Sequence, residues 1–303
     1  MNPTFKASAV MALCCAVTGT GLVGCKDVSD AHTKSSVTSA ARKAADGLLS
    51  GTRKIKVDGR SVNVSCSGNP MKHKPVIVLM PGLGDGLEKM AGIQKTLSEK
   101  NRVCSYDRLG EGASDKPDGP QTFAGTGKIL TGVIDQVAGH RPVVLAAHSL
   151  GGMIAARYAP DHRDRVKGVV LMDATSPTSV ADLTNAIPES ATGPAGELRA
   201  QTLQVDQGNN PEKLLITDGK VRSAGDIPVT VIQHGKKYLA AAVPEYGPRL
   251  EEDWAKGQRE WLAISHHSKL ITATNSEHYI YVDQPDLAVK TIQRVTSEAA
   301  RRV

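Results

Sequence analysis

The sequence predicts an α/β fold with a mainly parallel sheet covered by helices on both faces. Three observations carry that expectation. Runs of β-branched and apolar residues alternate along the chain with stretches of helical spacing. Several of these runs are continuously apolar, as strands buried on both faces require. One of them, Val143 to Ala147, leads straight through a serine- and glycine-containing turn into a helix.

The elements follow in chain order. Residues 1–24 read as a secretory signal, with Lys6 as the positive start and a small, apolar stretch over 7–17. Leu22-Val23-Gly24-Cys25 then resembles the lipobox of bacterial lipoproteins, which implies that Cys25 is acylated and becomes the first residue of the mature chain. An ordinary cleaved signal with a chance cysteine is the alternative. Residues 25–52 are rich in Ser, Thr, Ala, Lys and Asp, too poor in large apolar groups to offset the entropy of ordering, and read as a flexible tether that ends in a short helix near 40–49.

The folded domain is expected over 53–303. Ile55-Lys56-Val57 and Val62-Asn63-Val64 alternate with a period of two, and Asp58-Gly59 between them predicts an antiparallel hairpin. Buried strands are expected at 76–80, 103–106, 143–147, 169–172 and 229–233, and a last one at 270–273. Helices are expected at 87–97, 122–137, 153–159 and 249–266, the last of these with Leu250, Trp254, Trp261 and Ser265 on one face. Leu287, Ile292 and Val295 mark a final helix begun by Asp286. Residues 175–226, rich in Gly, Pro, Ser, Thr and Asn, break the rhythm and predict an inserted cap over the carboxyl ends of the strands.

Composition excludes several classes. Aromatic residues are 3% of the chain, too few for a base-stacking platform, and the net charge of +6 is spread without a basic run, so no nucleic-acid partner is expected. No internal span reaches the roughly 18 apolar residues of a membrane-crossing helix. Of the five cysteines, Cys14 and Cys15 leave with the signal and Cys25 carries lipid, which leaves Cys66 and Cys104 as an even pair suited to a disulfide in an exported chain. Neither lies in a CxxC or paired-His spacing, which disfavours zinc.

Ala147-His148-Ser149-Leu150-Gly151-Gly152 carries most of the chemistry. A strand, a small-x-Ser-x-Gly turn and a helix make a nucleophile elbow, which lifts Ser149 above the sheet. Ala147 stands where the motif usually has glycine. The oxyanion of an attacked carbonyl needs two backbone donors: Leu150 N–H follows the nucleophile, and Leu83 N–H lies in Pro81-Gly82-Leu83-Gly84, just after the preceding buried strand. Of nine histidines, His278 is expected as the base, because it falls in the loop after the last strand and follows the serine and an acid in chain order.

These segments, with Ser105 to Ser114 and Asp283-Gln284-Pro285, resemble the α/β-hydrolase fold superfamily from about residue 53 to the end of the chain. The resemblance implies an eight-stranded sheet of order 1-2-4-3-5-6-7-8, no cofactor and no metal. It also implies that Tyr106 to Gly110 shapes the loop beside the active site, and that the strands of Cys66 and Cys104 are neighbours. Members that act on epoxides or halides carry Asp where Ser149 stands, so those activities are not expected. Family members take the triad acid after the seventh or the sixth strand. The loop after 229–233 begins His234-Gly235-Lys236-Lys237 without a carboxylate, and its nearest candidates, Glu245, Glu251, Glu252 and Asp253, lie further on and partly in a helix, whereas Asp173 directly follows 169–172. Asp173 is therefore the expected acid, with Asp253 and Glu245 in reserve and a turn-capping role for Asp173 as the alternative. Glu277 adjoins the base, but neighbours in an extended loop point apart.

The resulting expectation is an extracytoplasmic, lipid-anchored serine hydrolase for a small-molecule ester, with Ser149, His278 and Asp173 as its triad. A peptidase, amidase, thioesterase, lactonase or carbon–carbon hydrolase of the same fold is the nearest rival, and a non-catalytic binding protein the second. The anchor has a direct test. The wild-type protein should fractionate with membranes, and Cys25→Ser should release or mislocalise it; a soluble wild-type protein that retains residues 1–24 would refute acylation.

Overall fold

A computed structural model describes residues 49–302. The signal, Cys25 and almost all of the expected tether, including the helix near 40–49, lie outside the described residues.

Eight strands form one sheet in the order β1-β2-β4-β3-β5-β6-β7-β8. The first two, β1 (Gly51–Val57) and β2 (Arg60–Ser67), pair antiparallel. Their turn has φ of +47° at Asp58 and +75° at Gly59, the left-handed pair that a two-residue hairpin loop needs. β1 takes in residues 51 and 52, ahead of the domain start expected at 53. β2 pairs antiparallel with β4 (Val103–Tyr106), and from there the sheet is parallel through β3 (Val76–Met80), β5 (Val143–His148), β6 (Val166–Met172), β7 (Val229–His234) and β8 (Ser268–Ala273).

The apolar strands feed two cores at once. Along β3 and β5, Val76, Val78, Met80, Val143, Leu145 and Ala147 face one layer of helices, which contains α2 (Phe123–Ala138) and α3 (Ser149–Tyr158). Ile77, Leu79, Val144 and Ala146 face the other, which contains α1 (Ala91–Ser98) and the final helix, Pro285–Ala300. A period of two therefore divides each run between opposite faces. Thr122 caps α2 by accepting the Gly125 N–H at 3.1 Å.

Several boundaries differ from expectation. β6 begins at Val166 because the Lys167-Gly168 interruption stays in the ladder, where Gly168 lies against Val295. β8 begins at Ser268, since an edge strand tolerates polar residues on its open side. The long helix expected over 249–266 is α7 (Gly247–Glu260) followed by a tighter turn at Trp261–Ile264. Residues 175–226 contribute α4 (Ser179–Ala186) and α5 (Gly193–Asp206) between β6 and β7. They do not cover the sheet edge alone. Leu183, Ile187 and Leu198 pack with Tyr238 and Leu239 of α6 (Tyr238–Ala242) and Leu250 of α7 in a third apolar cluster. The sequence reading missed α6, whose five residues are too few to show a period.

Cys66 and Cys104 stand opposite one another in the β2–β4 register and form a disulfide 38 residues apart in sequence. Under denaturing, non-reducing conditions neither should react with a thiol reagent. Replacing both by alanine should lower the unfolding free energy by roughly 3–4 kcal/mol in denaturant titration, the loop entropy of an uncrosslinked unfolded chain.

Candidate active site

The site is built where β5 ends. Ser149 sits at φ +51°, a left-handed conformation rare outside glycine, which turns the chain sharply from β5 into α3. The turn needs its small neighbours. A Cβ on Gly151 would lie 2.4 Å from the Pro81 carbonyl oxygen, and one on Gly152 would lie 2.5 Å from the Ala174 Cβ. Leu150 N–H is in the first turn of α3, where N–H groups lack an intrahelical acceptor. His148 is buried, and its Nε2 donates to the His278 carbonyl oxygen at 3.0 Å. Burial, then the neighbouring His278, hold His148 well below the usual imidazole range, so it stays neutral.

The loop after β3 is fixed from below. Arg108, 2% exposed, donates to the carbonyl oxygens of Pro81 at 2.6 Å and Gly82 at 2.8 Å. The same guanidinium forms a two-bond pair with Glu212, at 2.9 and 2.7 Å. Glu111 accepts from Gly84 N–H at 2.7 Å and Asp107 from Leu87 N–H at 2.6 Å. The chain after β4 thus shapes the loop that carries Leu83.

Asp173 follows β6 at φ +48° and has no exposed surface. Its Oδ2 lies 2.7 Å from His278 Nδ1. Its Oδ1 accepts from Trp254 Nε1 at 2.9 Å and from the backbone N–H of His234 at 3.0 Å. The His234 ring Nδ1 lies 2.9 Å from both oxygens. Burial alone would raise this carboxyl, but the bonds from His234 and His278 outweigh it and hold Asp173 well below the usual carboxylate range.

Ser149, His278, Leu83 and Leu150 all line one cleft. Leu183, Val205, Ile216, Leu239 and Trp254 give it an apolar wall. Asp85, Asp182, Asp206 and Asp253 also line it, and among the described residues no lysine or arginine does. Burial and then Asp218 push the Asp206 carboxyl up to about 7.

Asp253 accepts from Arg249 Nε at 2.7 Å, Glu245 is exposed, and Glu277 is exposed as well. No cluster of three or more metal-ligating side chains occurs among the described residues. Sequence reasoning missed His234 and Trp254, and it weighed Glu251 only as a distant candidate for the triad acid, whereas Glu251 binds His234. For His234 the available signal was the parallel register: Met172 pairs with Ile232, which brings the end of β7 beside Asp173.

The family model for the alpha/beta hydrolase fold matches residues 75–207. The fold is that of the α/β-hydrolases. An uncharacterized protein of Schizosaccharomyces pombe is 36% identical over 90 residues, 30% of this chain and 17% of that protein. A (lyso)-N-acylphosphatidylethanolamine lipase of Mus musculus is 29% identical over 105 residues, 34% of this chain and 31% of the lipase. The chain thus spans less than a third of either curated relative. The enol-lactonase structure from Burkholderia xenovorans LB400 superposes with a TM-score of 0.57 at 20% identity, over 81% of this chain and 100% of that one, a likeness of fold.

The elbow of this α/β-hydrolase fold has a mechanical test. Gly151→Ala should force the Pro81 carbonyl aside and cost about 1–3 kcal/mol in denaturant unfolding. Gly92→Ala, on α1 with nothing within 4 Å of the new Cβ, should leave stability equal or slightly higher.

Proposed function

We propose that this chain is a serine hydrolase that cleaves carboxylic esters, held through Cys25 on the extracytoplasmic side of a bacterial membrane. One observation carries the catalytic reading. The Nδ1 of His278 lies 2.7 Å from a buried carboxylate, in the cleft that Ser149 lines from a left-handed turn. That is the arrangement in which an imidazole is oriented to take a hydroxyl proton.

The chemistry follows from the groups. Ser149 Oγ adds to the ester carbonyl carbon while His278 Nε2 takes its proton. Asp173 stabilises the imidazolium and fixes the tautomer. Leu83 and Leu150 N–H groups stabilise the oxyanion, which then collapses as His278 returns the proton to the departing alcohol oxygen. Water adds to the acyl-enzyme by the same proton route and frees the acid. The apolar wall suits a substrate with an apolar acyl or alcohol part. A lipase and an enol-lactonase among the likenesses point the same way. Cys25 supports the location, since a diacylated cysteine with a further chain gives stable anchoring.

A panel of ester, thioester and peptide substrates tests the reading. Esters should turn over fastest and Ser149→Ala should abolish that turnover without loss of fold. Asp173→Asn should reduce it by about 10⁴, the size of the comparable change in a serine-protease triad. Faster cleavage of thioester or peptide would move the assignment to that class.

A further inference from the structure

His234 lies outside the triad, yet both of its ring nitrogens are bound to carboxylates. Nδ1 lies 2.9 Å from each oxygen of Asp173, and Nε2 lies 2.8 Å from Glu251 Oε2. A neutral imidazole has one N–H and one lone pair, so it would turn a lone pair on one of these oxygens. Only the imidazolium donates on both sides. Glu251 is itself fixed, since its Oε1 accepts from Leu239 N–H at 2.8 Å. The His234 side chain is 6% exposed, and Tyr238 closes on its ring edge-on at 4.9 Å. On the outer side, Lys237 and Glu252 line a groove with it. On the inner side, His278 reaches it only through the shared carboxylate of Asp173. A buried cation is thus placed directly behind the triad acid.

We propose that His234 is a positioning residue of this site, a permanent imidazolium clamped between Asp173 and Glu251 whose charge reduces the hold that Asp173 exerts on a proton at His278. The inference rests on the serine-hydrolase reading. Asp173 has to ionise without exposed surface, and His234 supplies both donors and a countercharge for that purpose. The same countercharge weakens the attraction between Asp173 and a protonated His278. The base then sheds its proton at a lower pH than a bare buried carboxylate would allow. Burial opposes the charge on His234, but bonds to Asp173 and Glu251 push it up to about 10, so it persists through neutral pH.

His234→Asn keeps an N–H at the position of Nδ1 and removes the positive charge. His278 then holds its proton more tightly, and the free base appears only at higher pH.

The test is the rate of Ser149 labelling by a fluorophosphonate as a function of pH, in the full chain. In His234→Asn the acid limb of that profile should move up by about one pH unit, the scale of a nearby charge. A uniformly slower rate with an unmoved limb would mean a merely structural role and would overturn the inference. Nitrogen-15 spectra of the wild-type protein give a second readout that needs no variant to fold. At pH 8 both ring nitrogens of His234 should carry protons, and a single protonated nitrogen there would also overturn it. Failure of the wild-type protein to label at Ser149 would instead sink the hydrolase reading, and the inference with it.

Discussion

A single buried negative charge organises the carboxyl edge of the sheet. Asp173 has no contact with solvent, and an ionised carboxylate in such a place is costly unless donors surround it. Those donors are the backbone and ring of His234, the Trp254 indole and the His278 ring, which come from the end of β7, from α7 and from the loop after β8. None is close to Asp173 in sequence. The carboxylate can be satisfied only when β6, β7, α7 and that loop are all in place, so the geometry of the site and the completion of the fold are one condition. Two left-handed residues, Ser149 and Asp173, close adjacent strands, and each costs of order 1 kcal/mol or more. Surrounding contacts hold both: the Ser149 carbonyl accepts from Thr175 N–H at 3.1 Å, and Asp173 N–H donates to the Ile232 carbonyl at 2.7 Å.

Much of this was legible because it is local. Strand identity shows in runs such as Val76 to Met80, where five apolar residues in a row leave few alternatives. The elbow shows because strand, Ser149 and two glycines are contiguous. The Asp58-Gly59 turn shows because few sequences adopt two successive left-handed residues. What stayed hidden is long-range and polar. His234 gave no signal of its own: its partners Asp173 and Glu251 are 61 and 17 residues away, and its meaning appears only once the parallel register is known. Glu212 was unreadable for the same reason, at 104 residues from Arg108 in a stretch whose composition suggested only an insertion. The start of α3 at Ser149 was obscured because Gly151 and Gly152 lower helix propensity there, and they are present for close packing.

The Arg108–Glu212 pair connects two parts that composition would separate. Glu212 belongs to the segment between β6 and β7, whereas Arg108 belongs to the chain after β4 and grips the loop after β3. Both side chains are almost fully buried, so loss of either leaves an uncompensated charge inside the protein. Gly110 tightens the same junction, since a Cβ there would strike the Pro211 carbonyl oxygen. The wall of the cleft is therefore pinned to the loop carrying Leu83 and does not ride as an independent flap at this point.

The acidic lining of the cleft has a consequence for the direction of flow through it. On the proposed reading, ester cleavage converts a neutral molecule into a carboxylic acid that ionises once formed. Substrate and product then meet the same aspartates with opposite results: the neutral ester feels little, and the carboxylate is repelled. That repulsion grows as Asp206 ionises near pH 7. On that reading a pocket of this kind would clear its own product and resist being refilled by it, with end-product inhibition weak and resynthesis of the ester from free acid opposed at the door rather than at the chemical step.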